Sequence, residues 1–297
     1  VPDRIAITHV DHVALRVPDP DEAAAYYARV LGFVEAARGG DGGAVRLSCL
    51  PRRGGTISAH EIVLYKGPAP SPLDHHALAV PDAAELQRAA DLLRRRGLEV
   101  DGPRAFEAVH GPAVRLCDHD GLLFELTVPV PPVPRPVGTR PFNFVKLSHV
   151  NLRSPDPAAG AAWWQKHLDL RLTEYIPDTF YWLRCNPEHT HVALVRGPQA
   201  GLHHIGFIIE SWDDVKLMLD HLAANDARVE YGPGRHGPGN SIFVYFVDPF
   251  GVRWEALCEM QLIHDDATHK VRVWDQTAGR LGSVNLWGGP KPPESFR

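Results

Sequence analysis

Residues 12–31 and 149–168 align without a gap at an offset of 137, and ten of the twenty positions are identical: His, Val, Leu, Arg, Pro-Asp-Pro, Ala-Ala and Leu. Tyr26-Tyr27 faces Trp163-Trp164 in the same alignment. A chain that carries its first half again must fold as two similar bodies or as one body with internal pseudo-symmetry. Between the copies runs Val128 to Phe142, with proline at 129, 131, 132, 134, 136 and 141. Proline lacks the N–H that a helix interior or a central strand needs, so this stretch reads as a stiff, extended connector. It divides the 297 residues into 1–130 and 142–297, each long enough to bury a core.

Each half divides again. His12-Val-Ala-Leu-Arg-Val and His149-Val-Asn-Leu-Arg alternate as strands and lead into a Pro-Asp-Pro helix start; His76-Ala-Leu-Ala-Val and His204-Ile-Gly-Phe-Ile-Ile restart the pattern. Amphipathic helices follow over Asp82 to Arg96 and Trp212 to Asn225. Short strands then close on Asp118-His-Asp-Gly before Glu125, and on Asp248-Pro-Phe-Gly before Glu255. The fold class is therefore α+β, built from four βαβββ modules. Two modules with curved sheets are expected to bury their faces against each other and form one cup per half.

Those strands bring together His149, His204 and Glu255 in the second half, and His12, His76 and Glu125 in the first. Two imidazoles and one carboxylate on one face hold a divalent first-row metal and leave three positions open for chemistry. A structural zinc site would be closed by a fourth ligand, usually thiolate. The cysteines at 49, 117, 185 and 258 are too scattered to supply it, and read as buried thiols of a reducing, cytoplasmic compartment. Alternation along the strand turns His203 away from His204. In the first half Arg115 stands ten residues before Glu125, where the second half has Tyr245. A cation there opposes a bound ion, so the first half is read as a duplicate that supplies interface and stability, with metal content per chain as the arbiter.

The run Gly234-Arg-His236-Gly-Pro-Gly-Asn-Ser-Ile-Phe-Val-Tyr245-Phe-Val-Asp248-Pro249-Phe-Gly251-Val-Arg-Trp-Glu255 is the most specific stretch of the chain. It resembles the signature of the type I extradiol ring-cleavage dioxygenases of the vicinal oxygen chelate superfamily. Gly-Pro-Gly-Arg-His and the tail Trp287-Gly-Gly-Pro are similar to the two-domain catechol 2,3-dioxygenase and homoprotocatechuate 2,3-dioxygenase group. The resemblance implies cupped, glyoxalase/bleomycin-resistance/dioxygenase-like domains, with His149, His204 and Glu255 as ligands of Fe(II), or of Mn(II). It further implies a catechol and O2 as substrates, His236 and Tyr245 as the pair that hydrogen-bonds the reacting oxygens, and a homo-oligomer. The sequence departs from the family at Thr190, where a histidine is usual. His189 and His191 flank it, and on a regular strand both would face away unless a bulge intervenes.

Trp182 shares strand parity with Thr190, which makes both candidates for the wall of an aromatic-substrate pocket. The tail beyond Met260, with His264, Arg272, Trp274 and Arg280, is expected to close over that pocket, an arginine meeting a substrate carboxylate. Lys plus Arg is 31 against 36 for Asp plus Glu, with no like-charge block, which argues against nucleic acid and membrane surfaces as partners. Two other readings share the architecture: a metal-dependent glyoxalase-like enzyme, and a non-catalytic protein that binds an aromatic ligand.

Overall fold

A computed structural model describes residues 4–39, 43–49, 59–68, 73–106, 111–131, 142–274, 284–289 and 292–296; most of the proline connector and Arg280 lie outside them. The first alternating run becomes β1 (Val10–Val17). Asp19 caps α1 (Pro20–Tyr26): its carboxylate accepts the backbone N–H groups of Asp21 and Glu22, and Pro20 sits where no N–H is needed. A π-helical turn over Tyr27–Leu31 leads to Gly32, whose φ of 80° ends the helix. Next come β2 (Val34–Arg38), β3 (Val45–Ser48) and β4 (Ile62–Lys66). The second module is β5 (Leu73–Ala79), α2 (Ala83–Arg95), β6 (Asp101–Arg104), β7 (Ala113–Cys117) and β8 (Leu123–Thr127).

The second half repeats the order with β9 (Phe144–Ser154), α3 (Pro157–Leu168), β10 (Arg171–Ile176), β11 (Phe180–Arg184) and β12 (Val192–Arg196). It closes with β13 (Gly201–Ile209), α4 (Trp212–Ala224), β14 (Val229–Arg235), β15 (Ile242–Val247) and β16 (Arg253–Cys258), to which the tail adds β17 (Arg272–Val273). The capping chemistry repeats too: Asp156, Asp82 and Ser211 each accept a backbone N–H of the first helical turn. Four βαβββ modules are present, as the sequence implies.

The modules of one half meet edge to edge, which corrects the face-to-face expectation. β1 pairs antiparallel with β5, and β9 with β13, giving continuous sheets in the orders β2-β3-β4-β1-β5-β8-β7-β6 and β14-β15-β16-β13-β9-β12-β11-β10-β17. The first strand of each module would otherwise leave a row of backbone N–H and C=O groups unpaired, and pairing the two satisfies both. No helix among the described residues is long and apolar enough to cross a membrane.

The halves exchange repeat-related aromatics. Tyr27 donates its hydroxyl to Asp248 Oδ2 at 2.6 Å, and Trp254 Nε1 donates to the same oxygen at 2.8 Å. Trp164, the repeat partner of Tyr27, packs on Phe124 with ring centres 4.8 Å apart. Phe33 lies 5.2 Å from Phe207 and 5.9 Å from Trp254, so one core spans both halves.

The duplication is unequal at one turn. Asp118 matches Asp248, but Phe124 stands where Trp254 does and has no N–H to give. Asp118 Oδ2 and Trp164 Nε1 each lack a hydrogen-bond partner among the described residues. Burial accordingly pushes the Asp118 carboxyl up to about 6. A carboxyl raised in the folded state stabilises below its unfolded pKa near 4 and loses that contribution as pH climbs through 6. Asp118→Asn keeps the oxygen that accepts Asp120 N and Leu122 N and removes the buried charge. At pH 8 it is expected to raise stability by roughly 2–3 kcal/mol, a Tm gain of a few degrees that closes by pH 4. Asp248→Asn, which weakens two donor contacts, lowers Tm at both values. Equal Tm differences for Asp118→Asn at pH 4 and pH 8 would contradict the assignment.

Candidate metal centre and active site

β16, β13 and β9 are neighbours in the middle of the second sheet, and their register sets the site. His149 is paired with Gly206, and Gly206 with Glu255, so the three form one row across the sheet. His204, two residues before Gly206, points to the same face. The donor atoms converge: His149 Nε2 to His204 Nε2 is 3.1 Å, His149 Nε2 to Glu255 Oε2 is 3.0 Å, and His204 Nε2 to Glu255 Oε2 is 3.1 Å. An equilateral triangle of that edge is one face of an octahedron with ion–donor distances of about 2.1–2.2 Å, and two imidazoles with one carboxylate suit a divalent first-row ion. The residues therefore fit a metal.

Gly206 makes the row possible. A Cβ at 206 would lie 2.2 Å from His149 Cε1 and 2.7 Å from its Nε2, in the space the ring occupies.

The tautomers follow from fixed acceptors. A backbone carbonyl can only accept, and Phe296 O lies 3.0 Å from His203 Nε2, so that nitrogen carries the proton. His203 Nδ1 is then a lone pair, which accepts from His204 Nδ1 at 2.6 Å and leaves His204 Nε2 bare toward Glu255. Burial, with His204 beside it, holds the His203 imidazole well below its usual pKa. Burial also pushes His204 down to about 4 despite the Glu255 carboxylate. Burial alone would raise Glu255, but the close approach of His149, His204 and His236 to its oxygens reverses this and holds its carboxyl well below the usual range.

His203 is a correction to the sequence reading, which turned it away. The β13–β9 pairing slips between Leu202 and His204, and the unpaired residue lets both imidazoles stand on the cavity side. His236 and Tyr245 are brought together beside the triad. His236 Nε2 is 3.0 Å from Tyr245 Oη and 3.3 Å from Glu255 Oε1, while Nδ1 donates to Val284 O at 2.7 Å. Phe243 stacks on the His236 ring at 3.8 Å. Burial and then Glu255 raise Tyr245 well above the usual phenol range, so it keeps its proton.

Triad, pair, Trp182 and Thr190 all line one cavity of about 90 Å³, with Phe180 stacked on Trp182 at 4.1 Å. The stretch around Thr190 is irregular, and β12 begins only at Val192. Alternation therefore fails: His189 joins Thr190 on the cavity, its Nδ1 2.6 Å from Thr190 Oγ1. His191 turns to Glu188, 3.5 Å away. Asn151, on the strand parity of His149, also lines the cavity, a residue that period-two reading of β9 could have found. The tail contributes Met260, Val284 and Phe296, the last with its ring 4.8 Å from Tyr245. Arg272 is instead exposed on β17 over Trp274, and His264 is exposed as well. No sequence signal marked Phe296.

In the first half the structure replaces His76 by His75: it is His12, His75 and Glu125 whose donors converge. Ala77 pairs with Glu125 and with His12, where Gly206 pairs with Glu255 and His149, so His75 is the counterpart of His204. Aligning the second histidine of each pair is a one-residue slip, which reverses the face. His76 stacks on Phe124 at 5.8 Å, and burial, with His75, pushes it down to about 3. Cys49 and Cys258 are buried as expected, Cys185 is half-buried and Cys117 is exposed; none forms a disulfide.

Gly206→Ala is expected to displace the His149 ring and weaken metal binding at least tenfold, with the far-UV circular dichroism unchanged. Metal titration of the stripped protein checks it; unaltered affinity would mean that the ring does not need that space.

The Glyoxalase/Bleomycin resistance protein/Dioxygenase superfamily matches residues 9–126 and 146–256. The chain is 27% identical over 281 residues to metapyrocatechase of Pseudomonas sp. (strain CF600), covering 89% of each. It is 25% identical over 308 residues to the manganese-dependent 2,3-dihydroxybiphenyl 1,2-dioxygenase of Geobacillus genomosp. 3, covering 96% of this chain and 95% of that one. Homoprotocatechuate 2,3-dioxygenase from Brevibacterium fuscum superposes with a TM-score of 0.86 at 23% identity, over 100% of this chain and 93% of the other, a likeness of fold. With both halves matched at the very strands that build the cup, the chain belongs to the Glyoxalase/Bleomycin resistance protein/Dioxygenase superfamily.

Proposed function

We propose that the chain is an extradiol dioxygenase that opens the ring of a catechol with O2, using one metal ion held by His149, His204 and Glu255. The observation that carries this reading is the converging triad, whose donors lie 3.0–3.1 Å apart, with a histidine–tyrosine pair touching it. Supporting it are the metapyrocatechase and dihydroxybiphenyl dioxygenase relatives.

When bound, iron(II), or manganese(II) as in one relative, supplies the electron transfer between an aromatic diol and O2. The chain does the rest. The stacked Phe180 and Trp182 wall the cavity on one side and offer an aromatic ring a flat apolar surface. Because Val284 O holds the proton on His236 Nδ1, the neutral ring keeps a lone pair on Nε2, the atom that takes a proton from a substrate hydroxyl and later returns it. Tyr245, kept protonated, donates from Oη to charge that grows on an oxygen beside it, in a site from which Phe296 helps to exclude water. His189 also lines the cavity, with its Nδ1 side fixed by Thr190 Oγ1. A glyoxalase-like isomerase of the same superfamily would consume no oxygen, and it does not need the His236–Tyr245 pair. The four cysteines, none in a disulfide, support a reducing, cytoplasmic setting.

Protein stripped and reloaded anaerobically with Fe(II) is expected to convert a catechol, on exposure to air, to a yellow ring-opened product that contains both atoms of ¹⁸O2. Glu255→Ala abolishes the conversion, and His236→Phe lowers kcat by about 10²-fold or more. Metal-loaded protein that leaves a panel of catechols unchanged contradicts the proposal. We extend it to a homo-oligomer, supported by the exposed apolar side chains of Leu262, Val271, Val273, Leu286 and Trp287; a mass in solution equal to one chain would overturn that extension.

A further inference from the structure

A second cluster of metal-ligating side chains lies outside this site, on the central strands of the first sheet. His12 on β1, His75 on β5 and Glu125 on β8 are each at most 1% exposed. His12 Nε2 is 3.3 Å from His75 Nε2, and His75 Nε2 is 3.6 Å from Glu125 Oε1. What distinguishes the cluster is the far side of each ring. His12 Nδ1 lies 2.7 Å from Asp11 Oδ2, and His75 Nδ1 lies 2.6 Å from Asp74 Oδ1. A carboxylate accepts, so both Nδ1 atoms carry protons and both Nε2 atoms turn lone pairs on each other and on Glu125. Carboxylate–imidazole pairs of this kind orient and strengthen histidine ligands to metals. Lone pairs 3.3 Å apart repel unless a cation or a proton lies between them, and that separation matches the edge of a tetrahedron with ion–donor distances of about 2.0–2.1 Å.

Arg115 does not fill that place. Its Nε donates to Glu125 Oε1 at 2.6 Å, the kind of contact that supports a ligating carboxylate from outside, and Oε2 has no hydrogen-bond partner among the described residues. We propose that His12, His75 and Glu125 bind a second divalent ion of the zinc class, which ties β1, β5 and β8 together. Two imidazoles select a transition ion over calcium or magnesium. The ring-cleavage pair has no counterpart here, since Arg115 stands where the other half has Tyr245, so this ion takes no part in ring cleavage.

The test is metal content per chain after chelation, reloading with Zn(II) and desalting. The full chain holds two equivalents. His75→Gln and Glu125→Gln each hold one, as does the double variant His149→Ala/Glu255→Ala, while His76→Gln, next along the strand, keeps two. A full chain that holds one equivalent, lost in the double variant, overturns the proposal and leaves a shared proton between the two imidazoles. A second equivalent that survives both His75→Gln and Glu125→Gln overturns it too. Because the full chain's own stoichiometry decides, a variant that fails to fold does not shield the idea.

Discussion

The register of three strands holds the rest together. β16, β13 and β9 pair so that His149, Gly206 and Glu255 fall in one row, and two imidazole nitrogens and a carboxylate oxygen meet within 3.1 Å. Side chains alternate faces, so a slip of one residue in any strand would send a ligand to the opposite side. Such a gathering of lone pairs and negative charge, fully buried, is costly unless an ion compensates it. The sheet, the caps and the bridging aromatics are what hold it closed.

Duplication explains both the strength and the unevenness of the fold. Each half lends an aromatic to the other, but of the two turn aspartates only Asp248 receives side-chain donors, since Phe124 stands where the other half has Trp254. Divergence at the centres is similar in kind. Arg115 stands where the other half has the phenol, and the first-half histidines have carboxylates behind them. The halves share one order of elements and differ in a few side chains at their centres.

Much of this was legible in the sequence. The repeat gave the modules, and the fixed spacing of His236, Tyr245 and Glu255 pointed to side chains that the sheet does bring together. Two failures share one cause, a departure from strict period two, and the third is a misalignment of the halves. A bulge at Leu202 to His204 put His203 into the cavity, irregular backbone before β12 split His189 from His191, and a one-residue offset between the halves exchanged His75 for His76. Bulges depend on how a partner strand pairs, which no single stretch encodes. Phe296 was invisible for another reason: a tail residue without periodicity gives no hint of where it docks.

The most direct measurement is a crystal structure of the chain loaded with iron(II) or manganese(II), with the ion located by its anomalous scattering. The account predicts an ion bound by His149 Nε2, His204 Nε2 and the Glu255 carboxylate, with the remaining positions held by water or substrate. An ion seated elsewhere in the second half, or one closed off by a fourth protein ligand, would contradict it.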